Sequence, residues 1–294
     1  MNSSSFKAPL IAVAVVGALL LGFVIARTTA PSASSGTGPS GPAAATAIPS
    51  HSHGGAVAGD LAGLSLSASG FTLVPSTTSF AAGAQRQFSF RVMGPDGKPV
   101  TRFVLNHEKL MHFIVVRHDL TGFQHLHPEA APDGTWTVPL TLPSPGIFRL
   151  YADFVTFDPA GQQLPLTLAV DATVAGDYVP VALPPAARTA EVGGFTVAME
   201  GTPRVNATQP LSFRVLAGGS PVTDLERYLG AYGHLVVIRE GDQGYLHVHP
   251  EDRLVGGAVK FWLSAPSPGR YRMYFEFQRS GAVHRAEFTV DVTS

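Results

Sequence analysis

Histidines are the side chains best able to do chemistry in this chain, which has eleven of them and no cysteine in 294 residues. Six fall in a repeated pattern. His112, His125 and His127, then His234, His247 and His249, each read H-x12-H-x-H with Pro-Glu directly after. Residues i and i+2 of a β-strand point to one face, so a His-x-His strand presents two imidazoles to one ion. Neutral imidazole suits copper and zinc. The pattern therefore points to a transition-metal site in each half of the chain.

The third histidine of each set belongs on the preceding strand of the same hairpin, and whether it joins depends on register. An even-numbered loop sets His112 opposite His127 and His234 opposite His249, with all three rings on one face. A three-residue loop with a bulged Gly122 or Gly244 sends His112 or His234 to the other face. The motif also admits a plain structural reading, because a duplication copies packing residues as readily as ligands.

The surroundings narrow the chemistry. Met111 adjoins His112, and a thioether beside imidazoles would favour Cu(I); neighbouring strand residues point to opposite faces, so Met111 reads as core. His107-Glu108 in the first half stands where the second has Leu229-Gly230, and Gly233 stands where the first has Met111. Glu129 and Glu251, two residues past the motif, could supply a fourth ligand or orient a ring, or be ordinary loop carboxylates, the reading preferred here. Asp153 and Glu276 occupy matching positions, and an acid facing inward is costly unless paired. They therefore face outward or belong to the site. His118 reads as a solvated turn residue, His284 as a strand-surface residue, and His51 and His53 as incidental.

The lack of cysteine excludes disulfides, thiolate zinc sites, iron–sulfur clusters, cysteine nucleophiles and a Cys-ligated blue-copper centre. A net charge of −1 without blocks of like charge gives no electrostatic footprint for nucleic acid. No Ser-His-Asp order, phosphate-binding glycine loop or dinucleotide fingerprint stands out, so the chain reads as a binding protein and not an enzyme.

The elements that must position the histidines are duplicated. Gly70-Phe71-Thr72 recurs as Gly194-Phe195-Thr196, Ser89-Phe90-Arg91-Val92 as Ser212-Phe213-Arg214-Val215, and Pro143-Ser144-Pro145-Gly146 as Pro266-Ser267-Pro268-Gly269. The first copy reads as strands over Phe71–Pro75, Gln87–Met93, Leu110–Arg117, Phe123–His127, Thr135–Leu142, Ile147–Phe157 and Leu164–Val174, parted by turns such as Pro95-Asp96-Gly97-Lys98. About seven short strands per copy predict an all-β chain of two tandem immunoglobulin-like β-sandwiches. Asp224–Tyr232 is the one helix-like patch. The expected domains are 61–176 and 192–294, joined by a Pro- and Ala-rich linker over 177–191.

Ahead of them, the uncharged run from Ala8 to Ala26 would make a helix of about 28 Å, close to the hydrocarbon thickness. Residues 1–27 thus read as a signal anchor or a cleaved signal peptide, with Thr28-Thr29-Ala30 as the cleavage alternative. Lys7 favours a cytoplasmic N-terminus, so the domains lie outside the cytoplasm, held at the membrane or secreted. Residues 28–60, rich in Ser, Gly, Pro and Ala, read as a disordered stalk.

The runs Asp96-Gly97-Lys98-Pro99-Val100-Thr101, His107-Glu108-Lys109-Leu110-Met111-His112 and Phe123-Gln124-His125-Leu126-His127-Pro128-Glu129 resemble a group of uncharacterised bacterial secreted or membrane-anchored proteins. So do Tyr228-Leu229-Gly230-Ala231-Tyr232-Gly233-His234 and Tyr245-Leu246-His247-Val248-His249-Pro250. The resemblance implies extracytoplasmic handling of copper or another heavy metal: a chaperone, buffer or sensor whose partners are the ion and an extracytoplasmic metal-handling protein. The alternative is an immunoglobulin-like adhesion or interaction module with structural histidines. A copper-dependent oxidoreductase fits less well, because a superoxide dismutase needs more ligands and a multicopper oxidase needs a cysteine.

Overall fold

The computed structural model describes residues 62–246 and 248–293, with the side chain of His249 outside the description. The residues read above as a signal or anchor (1–27) and as a stalk (28–60, with His51 and His53), together with His247, lie outside the described residues. Among the described residues there is no helix, hence none long and apolar enough to cross a membrane. The all-β expectation holds.

The first copy contributes β1 (Ser67–Ala68), β2 (Phe71–Pro75), β3 (Ser79–Phe80), β4 (Gln85–Met93), β5 (Met111–Arg117), β6 (Gln124–Leu126), β7 (Glu129–Ala130), β8 (Thr135–Thr141), β9 (Gly146–Phe157) and β10 (Gln163–Val174). The second contributes β11 (Thr189–Val192), β12 (Phe195–Glu200), β13 (Gln209–Ala217), β14 (Ser220–Pro221), β15 (His234–Arg239), β16 (Tyr245–Leu246), β17 (His249–Pro250), β18 (Val259–Leu263), β19 (Gly269–Arg279) and β20 (Ala282–Val292). In the first sandwich a sheet ordered β1-β2-β4-β8-β7 faces one ordered β3-β10-β9-β5-β6. The second repeats this with β11-β12-β13-β18-β17 against β16-β15-β19-β20. All seven strands expected in the first copy form. The two-residue strands β1, β3 and β7 are additions at sheet edges, too short to leave a periodic signal.

Alternation in Thr135-Trp136-Thr137-Val138-Pro139-Leu140 places Trp136, Val138 and Leu140 in the first core and the threonines outward. Phe88, Phe90, Phe113 and Trp136 fill that core, with Phe90 on Phe113 at a ring separation of 5.1 Å. Asp224–Tyr232 forms no helix. Glu226 bridges to Gln278 and Tyr228 to Ala231, around a two-residue turn in which Leu229 and Gly230 have φ of 56° and 81°. Those left-handed values are incompatible with a right-handed helix.

Strand β5 (MHFIVVR) is buried at every position, and β15 (HLVVIR) nearly so. A strand apolar on both faces needs a cover on each. Met111, Phe113 and Val115 face the first core. Ile114 and Val116 face away from it, joining Phe123, Tyr151 and Ala169 in a third apolar cluster with Val236, Ile238, Tyr245 and Tyr274 of the second copy. The outer faces of the two hairpin sheets therefore pack on each other. Matching bonds tie them: Tyr151 Oη donates to the Gln243 carbonyl and Tyr274 Oη to the Leu120 carbonyl, each at 2.7 Å. Leu120 and Gln243 occupy equivalent turns and both have positive φ, 61° and 59°. That conformation turns each carbonyl toward the opposite domain, so the contact is pseudo-twofold, one sandwich addressing the other as in an isologous dimer.

Candidate metal centre

Register decides which histidines enter this contact. Phe113 pairs with Leu126 and Ile114 with His125, so His112 stands opposite His127 one step further on. In the second copy Val237 pairs with Leu246 and Ile238 with Tyr245, the same register. The facing arrangement thus forms, without the slip that would have turned His112 away. Met111 alternates inward to the core, as expected, and puts no sulfur among the rings. His112 pairs with Asp153 on β9, and His234 pairs with Glu276 on β19. These four side chains project with Ile114 and Val236 into the contact between the sandwiches.

Among the described residues, the rings gather across the two halves. His112 and His125 of the first copy meet His234 of the second, with one donor nitrogen from each lying within 4.8 Å of the others. Ring centroids are 5.2 Å apart for His112 and His125, 5.3 Å for His112 and His234, and 4.6 Å for His125 and His234. Imidazoles on one tetrahedral ion, with metal–nitrogen distances of about 2.0–2.1 Å, have centroids about 5 Å apart. His127 adjoins this trio, 5.2 Å from His112 and 4.7 Å from His125. Sheet packing carries His234 to the first copy's histidines, so the rings gathered here come from both halves of the chain. His247 and the side chain of His249 lie outside the described residues.

The tautomers follow from the partners. His112 Nε2 lies 3.0 Å from the Asn106 carbonyl, an acceptor only, so that nitrogen carries the hydrogen and Nδ1 is bare. His125 Nδ1 lies 2.7 Å from Glu276 Oε2 and donates to it, leaving Nε2 directed inward. The inward nitrogens, His112 Nδ1 and His125 Nε2, are 2.9 Å apart. With both outer nitrogens donating, two neutral rings would bring lone pair against lone pair. The gap therefore suits a metal ion that takes both lone pairs. A tetrahedral metal would hold these nitrogens about 3.3 Å apart, a few tenths of an ångström more than they have. Two further ring nitrogens, His127 Nε2 and His234 Nδ1, are buried without a hydrogen-bond partner.

Burial also sets the charge. It lowers His112 to about 3, helped by repulsion from His125 and opposed by the Asn106 carbonyl. His127 is likewise lowered to about 3, first by burial and then by His125 and Lys109. His234 is held well below the usual range, first by burial and then by the charges of His125 and His112. These rings are neutral at pH 7, the state in which imidazole binds metal.

Two site residues fell outside the sequence-derived set. Glu276 crosses from the second sandwich to orient His125, the carboxylate–histidine arrangement that tunes metal ligands. Its pairing in register with a histidine resolves the choice left open for it and Asp153. Both acids are buried on the face of the site, and Asp153 accepts a hydrogen bond from Thr167 at 2.7 Å. His107 has its ring 6.1 Å from His112 and 5.9 Å from His234. The departure from Leu229-Gly230 in the second copy was its only signal. Of the other described histidines, His118 bonds Asp171 at 3.2 Å, and His284 packs on Phe195 and Phe277.

Three solved structures are similar to this chain at low identity. An Escherichia coli adhesin, FdeC, is 16% identical with a TM-score of 0.26, covering 81% of this chain and 67% of its own. The N-terminal Ig1-2 module of the Drosophila receptor tyrosine phosphatase DLAR is 10% identical (TM-score 0.20; 76% of this chain, 99% of that one). The D0-D1 domain of intimin is 14% identical (TM-score 0.22; 76% and 97%). Likenesses of this order carry nothing about function. No curated protein sequence matches the chain. One family model matches it twice, over 67–173 and 190–294, which agrees with the tandem repeat and is silent on metals. The chain belongs to the family described as "Domain of unknown function (DUF8832)".

Proposed function

We propose that this protein binds a transition metal ion outside the cytoplasm, copper before zinc, and serves as a chaperone, buffer or sensor without catalysing a reaction. The observation that supports it best is the convergence of His112, His125 and His234, with His234 Nδ1 buried and unpartnered. Leaving such a polar atom buried without a partner costs about 1–3 kcal/mol, which an ion at that position would offset. An all-nitrogen donor set ranks Cu²⁺ above Zn²⁺ in intrinsic affinity. The extracytoplasmic location rests on the apolar run from Ala8 to Ala26.

The second reading, an adhesion or interaction module with structural histidines, agrees with the names of the similar structures better than metal binding does. At their TM-scores that agreement has no weight for either reading. Thermal unfolding of the full chain in detergent, with Cu²⁺, Zn²⁺ or a chelator, separates the two. Specific binding at a hundredfold excess over Kd adds about 2.7 kcal/mol. For a folded part of this size that raises Tm by roughly 5–11 °C. Identical melting in all conditions leaves the interaction module standing.

A further inference from the structure

The buried trio raises the question of how an ion reaches it. His112 and His234 are 1% and 8% exposed, and the His125 side chain is 0% exposed. A hydrated ion cannot diffuse to them without shedding its waters on the way. We infer that His107 is the port of the centre: it takes the ion at the surface and passes it to His112 and His234 by ligand exchange. This rests on the metal-binding reading.

Three observations converge on His107. It is half-buried, with its ring about equally far from His112 and His234. It stands in a two-residue turn closed by mutual backbone bonds between Asn106 and Lys109, with φ of 47° at His107 and 63° at Glu108. Left-handed backbone at two consecutive non-glycine residues is costly, and such strain collects where function requires it. The equivalent turn of the second copy relieves it with Gly230 and carries a buried Leu229 where His107 stands. The pseudo-twofold contact thus has a nitrogen donor on one side and an apolar residue on the other.

The third observation is mechanical. The carbonyl of Asn106, adjacent to His107 in the chain, accepts the His112 Nε2 hydrogen. An ion on His107 therefore sits on a turn already tied to the next ligand, and exposed Glu108 adds a negative charge at the mouth. In the transfer one water or nitrogen leaves the ion as each imidazole nitrogen binds, so its charge and oxidation state do not change.

Stopped-flow binding of Zn²⁺ and Cu²⁺ to the full chain, with release driven by excess chelator, tests this in wild type, His107→Ala and His107→Asn. Asparagine tolerates the left-handed backbone, so it preserves the turn if alanine disturbs folding. A port speeds capture and release alike, so both variants should lose at least about tenfold in each rate while Kd stays within about threefold. Unchanged rates would overturn the inference. So would a loss of affinity with an unchanged on-rate, because His107 would then be a ligand of the bound ion. A wild-type chain that binds neither metal would instead remove the metal reading itself.

Discussion

Replacing His234 by alanine separates a centre shared between the sandwiches from two independent half-sites. In the shared centre His234 supplies one of three donors, although it lies in the other domain from His112 and His125. Structural zinc sites with four ligands bind with about 10–16 kcal/mol, so one ligand is worth about 3 kcal/mol. Its loss should weaken binding about a hundredfold. The metal-free protein should change little. The variant loses the packing of a ring stacked on His112 at 5.3 Å, and it also loses a buried nitrogen without a partner. Those terms oppose each other, at about 2–4 kcal/mol for a large-to-small change and about 1–3 kcal/mol for the unpartnered atom. Calorimetric titration of the full-length variant with Zn²⁺, and with Cu²⁺ under a competing chelator, reads affinity and stoichiometry together. Independent half-sites predict that one of two ions disappears and the other binds as before. Wild-type affinity for the ion at His112 and His125 in this variant would refute the shared centre.

Glu276→Gln keeps an acceptor near His125 Nδ1 but removes the carboxylate charge; metal affinity should fall about 10–100-fold in the same titration, and an unchanged Kd would show that Glu276 does not tune the ligand. His112 and His234 have pKa values lowered on folding, so the unfolded chain takes up protons first as pH falls below about 6.5. Stability is therefore fullest above pH 6.5 and declines toward the folded value of about 3 for His112, by up to about 1.4 kcal/mol per pH unit for each ring. Urea unfolding of the metal-free protein at pH 7.5 and 5.5 checks the sign, which a gain in stability at pH 5.5 would reverse. Tyr151→Phe and Tyr274→Phe each leave a buried carbonyl without its donor, and each should cost about 1–3 kcal/mol in chemical unfolding. A loss at only one of the two would break the reciprocity of the contact.

Much of this was present in the linear order of residues, because local periodicity is a local property. Alternation in Thr135–Leu140 fixes one buried face, and the H-x12-H-x-H spacing allows a register with three rings on one face. That register forms. What the face meets is a matter of long-range packing, which no spacing within one hairpin encodes. The nearest hint was the unbroken apolar character of β5 and β15, which calls for cover on both faces without naming it. Only the tertiary structure applies the outer sheet of one sandwich to that of the other. It thereby moves His234 to His112 and His125, and it sets Glu276 behind His125. His107 joins because a left-handed turn, which leaves no trace in hydrophobic periodicity, swings its ring toward the same point. The duplication made two copies of the hairpin; a pseudo-twofold contact between them, made favourable by the apolar surface it removes from water, brings their histidines to one place.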